Sequence, residues 1–269
     1  MRYKLLALDL DDTLLNEDSK ISPRNKEAIR KAAEQGVAVT IATGRMFTSA
    51  LPYARELNVD MPLITYHGAL IKMADSGEVL RHCAVPLEKA LEILDLCEEK
   101  GYHVNLYLND ELFVKEENES TRYYQTIASI PLRVVGSLSR YLLGRKLEPT
   151  KLTVIELKGR LEELQQMLRE KYPELTILKS RPFFLEITHQ KATKGQALAF
   201  LAQREGIRAE EIAAVGDSYN DIDMLRFAGL GAAVANAPQE VKDAADVIMP
   251  SSGDDGVAAF IEEYLLKGH

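Results

Sequence analysis

The sequence predicts an α/β fold in which a parallel sheet is interrupted by an inserted α+β module. Three observations predict it. Near-continuous apolar runs at residues 5–8, 37–42 and 212–215 are too continuous for half-solvated strands and suit a sheet buried on both faces. Helical stretches alternate with them, which is βαβ punctuation. From about Cys83 to Thr193 the rhythm changes to adjacent strands joined by short turns, the mark of an α+β unit.

In order, Ser22-Pro23 opens a helix with a capping serine and a first-turn proline, and Gly36 ends it. A strand at 37–42, a helix at 46–57 and a short strand at 62–65 follow and predict a third parallel strand. Residues 70–73 and 79–83 form a hairpin around Asp75-Ser76-Gly77. An amphipathic helix at 86–100 and a second hairpin, 103–108 with 111–114, open the module. Residues 116–129 are polar and partly helical, and 138–147 carry no decisive pattern. A strand at 152–157, a helix at 160–172 and strands at 175–179 and 183–187 complete the module. The parallel rhythm resumes with a helix at Lys194, the strand 212–215, strands at 231–235 and 247–249, and a closing helix at 256–266. The expected domains are therefore residues 1–83 with 190–269, and 84–189.

The chain has 269 residues, more than one domain usually holds, and at 46% hydrophobic and 28% charged it is globular. A formal net charge of −8 lacks the basic footprint of a nucleic-acid binder. Cys83 and Cys97, the only 2 cysteines, give neither a disulfide framework nor metal-site spacing. Met1-Arg2-Tyr3 runs directly into the first strand, and no apolar stretch is long enough to span a bilayer. A soluble cytoplasmic protein, with neither nucleic acid nor membrane as partner, is the expectation.

Polar clusters stand where strands end or helices begin: Asp9, Asp11 and Thr13; Thr43-Gly44-Arg45; Lys194; and Asp217, Asn220 and Asp221. Ligands bind beyond the carboxyl ends of strands in open α/β sheets. In an extended chain Asp9 and Asp11 point to the same side, and two crowded carboxylates favour a bound cation. Taken singly, each cluster also has a plain reading. Asp9 and Asp11 read as solvated acids at a strand end, Thr43 as a helix cap, Lys194 as a solvated side chain, and Asp217 with Asn220 as a turn before a helix.

In combination the clusters resemble the haloacid dehalogenase superfamily, in particular its Cof-type sugar phosphatase branch with a type IIB cap. Asp9-Leu10-Asp11-Asp12-Thr13, Ala42-Thr43-Gly44-Arg45, Lys194-Gly195 and Gly216-Asp217-Ser218-Tyr219-Asn220-Asp221 match its four motifs in order. The resemblance covers essentially the whole chain and implies a Rossmann-like core with the 84–189 module as a cap, a mobile lid. It implies Asp9 as nucleophile and Asp11 as general acid and base. Mg2+ would be held by Asp9, the Asp11 carbonyl and Asp217, with Asp221 close by. Phosphate would be held by the Leu10 and Gly44 amides, Thr43, Lys194 and Asn220. Thr13 would order the loop beside Asp11.

Two residues depart from the family pattern: His67 stands where asparagine is usual, and Lys191 where many relatives have glycine. His82, His103 and His269 have no ligand spacing and read as surface or packing residues. Arg45, His67, Glu186 and His189 are candidates for substrate contact from the core or cap side.

The expected function is Mg2+-dependent hydrolysis of small phosphorylated metabolites, sugar phosphates first, through a phosphoaspartate. The alternatives are a phosphatase for flavin mononucleotide or pyridoxal phosphate, with Tyr107, Tyr123, Tyr124 and Phe184 as stacking groups, a phosphomutase, and a catalytically idle metabolite-binding protein. The sequence carries no sign of oligomeric state.

Overall fold

A computed structural model describes residues 2–59, 61–128 and 130–267. Met1, Ser129 and His269, which enter the expectations above, lie outside the described residues. In chain order the elements are β1 (Leu5–Leu8), α1 (Pro23–Glu34), β2 (Ala38–Ile41), α2 (Phe47–Glu56), β3 (Leu63–Thr65), β4 (Leu70–Lys72) and β5 (Val79–His82). Next come α3 (Leu87–Glu99), β6 (His103–Leu108), β7 (Glu111–Val114), α4 (Glu119–Ile127), β8 (Leu132–Val134), α5 (Leu138–Arg145), β9 (Lys151–Ile155), α6 (Leu161–Lys171), β10 (Leu175–Arg181) and β11 (Phe184–His189). The chain closes with α7 (Lys194–Glu205), β12 (Ile212–Gly216), α8 (Ile222–Phe227), β13 (Leu230–Val234), α9 (Gln239–Lys242), β14 (Val247–Met249) and α10 (Gly256–Phe260). It divides into two compact units, Met1–Arg81 with Thr193–His269, and His82–Ala192.

The first unit holds a parallel sheet in the order β14-β13-β12-β1-β2. All of β1 is buried, which explains its unbroken apolar run. Leu5 and Ala7 pack with Ala197, Leu198 and Leu201 of α7 and with Met224 and Leu225 of α8. Leu6 and Leu8 alternate to the other side, and α1 packs against α10. Ser22 caps α1 as expected, its Oγ accepting from the Asn25 N–H at 3.1 Å.

The expected third parallel strand is different. β3 pairs antiparallel with β4 in a separate sheet, β3-β4-β5, and adjoins β2 in the parallel sense through an Ala42–Ile64 bridge, the Thr43 N–H to Ile64 carbonyl bond of 2.9 Å and the Thr40 hydroxyl to Pro62 carbonyl bond of 2.7 Å. The cause is local: Tyr66 and His67 take left-handed backbone, so the chain reverses after three strand residues.

The second unit is a sheet ordered β10-β11-β9-β6-β7-β8, antiparallel except between β7 and β8. Val104, Leu106, Leu152, Val154, Leu185 and Ile187 line one face, in a cluster with Ile93 and Leu94 of α3 and Leu164 and Leu168 of α6. The undecided stretch 138–147 contains α5, anchored by Leu138 and Leu142. Strand β8 and helix α9 were not anticipated, and the closing helix widens after Phe260 into a looser turn over Ile261–Leu265. Among the described residues, no helix is long and apolar enough to cross a membrane.

Candidate active site

β1 lies between β12 and β2, so the loops leaving these three strands are neighbours at one sheet edge. Asp9 follows β1 in extended backbone, its N–H still bonded to the Val215 carbonyl of β12 at 3.0 Å. Lys194 opens α7 behind Thr193, whose hydroxyl caps the helix by accepting from the Gln196 N–H at 3.3 Å. The Lys194 ammonium is 1% exposed and donates to Asp9 Oδ1 and to Asp221 Oδ1, each at 2.5 Å. Asp217 Oδ1 accepts from the Thr13 hydroxyl at 2.8 Å. Carboxylate oxygens of Asp9, Asp217 and Asp221 fall within 4.8 Å of one another.

Three buried carboxylates around one ammonium leave negative charge in excess. Burial pushes the Asp9 carboxyl well above its ordinary range; Lys194 opposes this, while Asp221 and Asp217 add to it. Asp217 is pushed up to about 6 by burial and then by Asp221. Burial alone would depress Lys194, but Asp221 and Asp9 outweigh it and hold the ammonium above its ordinary value. Oxygen-only donors with excess negative charge fit a hard divalent cation.

Asp11 does not share the side of Asp9. The chain leaves extended geometry at Leu10, entering a tight turn over Leu10–Leu14 in which Asp12 has φ 58°, so the two-residue alternation no longer applies. The Asp11 side chain is half exposed and meets Arg45 in a two-pronged pair, with Nε to Oδ2 at 2.9 Å and Nη2 to Oδ1 at 2.5 Å. Arg45 also lies over the Tyr53 ring and bonds its hydroxyl at 3.2 Å. Thr43 is fully buried, and its Oγ1 accepts from the Arg45 N–H at 3.2 Å. Both oxygens of Asp221 are engaged: Oδ1 by Lys194, Oδ2 by the N–H groups of Asp217 at 3.0 Å and Ser218 at 2.9 Å. Asn220 Nδ2 donates to His67 Nδ1 at 2.9 Å.

Glu186 and His189 belong to the second unit. Glu186 accepts from Lys151 at 3.1 Å and from the Ser180 hydroxyl at 2.9 Å; His189 Nδ1 accepts from the Lys191 N–H at 3.0 Å. The proposed stacking groups are mostly packed: Tyr107, Tyr124 and Phe184 are buried, and the two tyrosine hydroxyls bond each other at 2.9 Å. His103 is a satisfied core histidine between Asn105 and Asn118.

Sequence reasoning missed two supports. Asp223 Oδ2 accepts the Gly195 N–H at 3.0 Å and fixes the start of α7. Asn236 Nδ2 donates to the Asp12 carbonyl at 2.7 Å while its Oδ1 accepts from the Ser252 N–H at 3.0 Å. The Asn236-Ala237-Pro238 turn was the available signal for the second.

A buried carboxylate bonded to a buried lysine, with two further acids beside it, stands at the carboxyl edge of a parallel sheet of the Rossmann-like type. The family model described as haloacid dehalogenase-like hydrolase matches residues 6–261, and the chain belongs to that family. A Haemophilus influenzae protein, provisionally named a phosphatase, is 32% identical over 98% of this chain and 98% of its own length. The Bacillus subtilis 5-amino-6-(5-phospho-D-ribitylamino)uracil phosphatase YcsE is 30% identical over 98% of this chain and 96% of its own. The solved structure of the subclass IIB sugar phosphatase BT4131 superposes with a TM-score of 0.80 at 27% identity, covering 96% of this chain and 98% of that one. The expected family, fold class and enzyme type, a phosphatase, hold.

Proposed function

We propose that this enzyme is a Mg2+-dependent phosphatase of small phosphorylated metabolites, sugar and polyol phosphates foremost, acting through a phosphoaspartate. The observation that carries the reading is Asp9, a carboxylate 4% exposed beyond the central strand, paired with Lys194 and crowded by two more acids. Such crowding is costly to a fold, and strongly perturbed buried acids cluster at functional sites.

In this reading an Asp9 oxygen attacks phosphorus, the ester P–O bond breaks, and water then hydrolyses the aspartyl phosphate. Asp11 protonates the departing alkoxide and later takes the proton of that water. Both Asp11 oxygens are held by Arg45 here, so the acid role requires that pair to open. Thr43, the Leu10 and Gly44 amides and Asn220 hold the phosphoryl oxygens. Lys194 offsets repulsion between Asp9 and the phosphate dianion. Asp9, Asp217 and the Asp11 carbonyl would hold Mg2+, with Asp221 contributing charge because both its oxygens are already bonded. The bound cation would neutralise charge gathering between nucleophile and phosphate.

Glu186 and His189 are the proposed polar partners for sugar hydroxyls. A second reading is favoured by the relative YcsE, whose named substrate is a ribityl phosphate carrying a ring. Phosphate release across hexose phosphates, polyol phosphates, flavin mononucleotide, pyridoxal phosphate and that ribitylaminouracil phosphate, with and without Mg2+, decides between them. A kcat/KM at least a hundredfold higher for a ring-bearing substrate, about 2.7 kcal/mol, would overturn the sugar-phosphate assignment. Equal rates for wild type and Asp9→Asn would overturn the mechanism.

A further inference from the structure

One turn of the first unit ties three loops of the site together, and the chemistry above gives it no task. Tyr66, His67 and Gly68 all take positive φ, at 51°, 57° and 101°. For tyrosine and histidine such backbone is strained and persists only where its surroundings over-determine it. The Tyr66 N–H donates to the Arg45 carbonyl at 2.9 Å and the His67 N–H to the Thr43 carbonyl at 3.0 Å. The His67 ring sits so close over Gly44 that a Cβ there would overlap it and force the ring to shift. On the other side, a Cβ on Gly68 would overlap the Thr193 carbonyl, one residue before Lys194. Asn220 completes the set, donating from Nδ2 to His67 Nδ1 at 2.9 Å and accepting at Oδ1 from the Ser218 hydroxyl at 2.7 Å.

We propose that His67 is a positioning residue for phosphoryl transfer, fixing the orientation of the Asn220 carboxamide and the spacing between Asn220 and the Thr43-Gly44 loop. The inference rests on the assignment of those groups to the phosphoryl oxygens. In the tautomer protonated at Nε2, Nδ1 is an acceptor and selects the rotamer in which Asn220 turns its N–H group toward His67. The flipped amide would set oxygen against a ring lone pair. In the observed rotamer the amide's second N–H remains a donor for an anion, which the flipped oxygen would repel.

The test compares wild type with His67→Ala, His67→Phe, His67→Asn, Asn220→Ala and the double variant His67→Ala/Asn220→Ala. The readouts are kcat/KM for p-nitrophenyl phosphate with Mg2+, affinity for inorganic phosphate by calorimetry, and melting temperature. His67→Phe keeps a ring over Gly44 but has no acceptor. It and His67→Ala should each lose about tenfold in kcat/KM, the worth of one good hydrogen bond, with phosphate affinity falling in parallel. The double variant should be no worse than Asn220→Ala, and His67→Asn, whose amide oxygen can accept, should keep most activity. Additive losses in the double variant, or His67→Phe within twofold of wild type, would overturn the proposal. If His67→Ala does not fold, the phenylalanine and asparagine variants carry the comparison. A wild type inactive on every ester would instead sink the phosphatase reading, while the calorimetric comparison would still decide whether His67 and Asn220 are coupled.

Discussion

Asp217 makes the site's charge depend on pH near neutrality. Its folded-state value of about 6 lies above the ordinary 3.8, so the folded protein keeps a proton that the unfolded chain gives up. The resulting stabilisation is fully present below the ordinary value and is lost as pH rises through about 6. A divalent cation needs the ionised carboxylate, so its binding releases protons. The melting-temperature gain from millimolar Mg2+ should therefore grow from pH 5 to pH 7, and grow less steeply in Asp217→Asn, where Asp9 alone still has to give up its proton. A gain independent of pH would refute this. Asp11 carries a second prediction. Asp11→Asn should cut turnover of alkyl phosphates by about 10²–10⁴-fold, the usual worth of positioned proton transfer. It should cost far less with nitrophenyl phosphate, whose leaving group needs no proton. The acids themselves were legible as a strand ending in carboxylates. That Asp9 turns inward and Asp11 outward was not, because it depends on the turn entered at Leu10 and on Arg45, 34 residues away in sequence.

At the scale of elements, α7 shows how a helix start is positioned. Alanine for glycine within a helix usually stabilises by up to about 1 kcal/mol. At Gly195 the sign should reverse, because a Cβ would lie 2.7 Å from the Asp223 backbone. Gly195→Ala should lower the melting temperature and, by moving Lys194 off Asp9, reduce kcat; an unchanged kcat would refute the link between this packing and Asp9. Thr193→Ala removes the helix cap and should cost about 1 kcal/mol, measurable by denaturant titration. Caps and periodic faces made most helices legible, as at Ser22-Pro23. The helix at Leu138–Arg145 was not legible because only Leu138 and Leu142 are buried, too few positions to establish a period. The three-residue strand Leu132–Val134 exists because it lies beside Glu111–Val114, a contact that no local pattern announces.

For the whole molecule, each unit has its own apolar cluster. Residues 82–192 expressed alone should therefore melt cooperatively with native-like circular dichroism; a non-cooperative, noncompact product would refute an independent core. The expectation of a mobile cap is tested by limited proteolysis of the full chain at the linkers near residues 82–86 and 189–193. Cleavage there should slow when Mg2+ and inorganic phosphate are both present, and unchanged rates would count against it. The sequence by itself determined the α/β class, the insertion between two halves of a parallel domain, and the four loops that carry the reactive residue types. These follow from local causes: apolar run length, turn residues, and acids placed at strand ends. Only the tertiary structure decided that β1 lies between β12 and β2, that Lys194 joins Asp9 to Asp221, that Arg45 holds Asp11, and that His67 meets Asn220. Strand order and side-chain partners as distant as Lys194 and Asp9, 185 residues apart, are settled by how the sheet assembles in space. Burial then sets the charge of Asp9 and Asp217, because the ionisation of a carboxylate depends on its neighbours and its access to water.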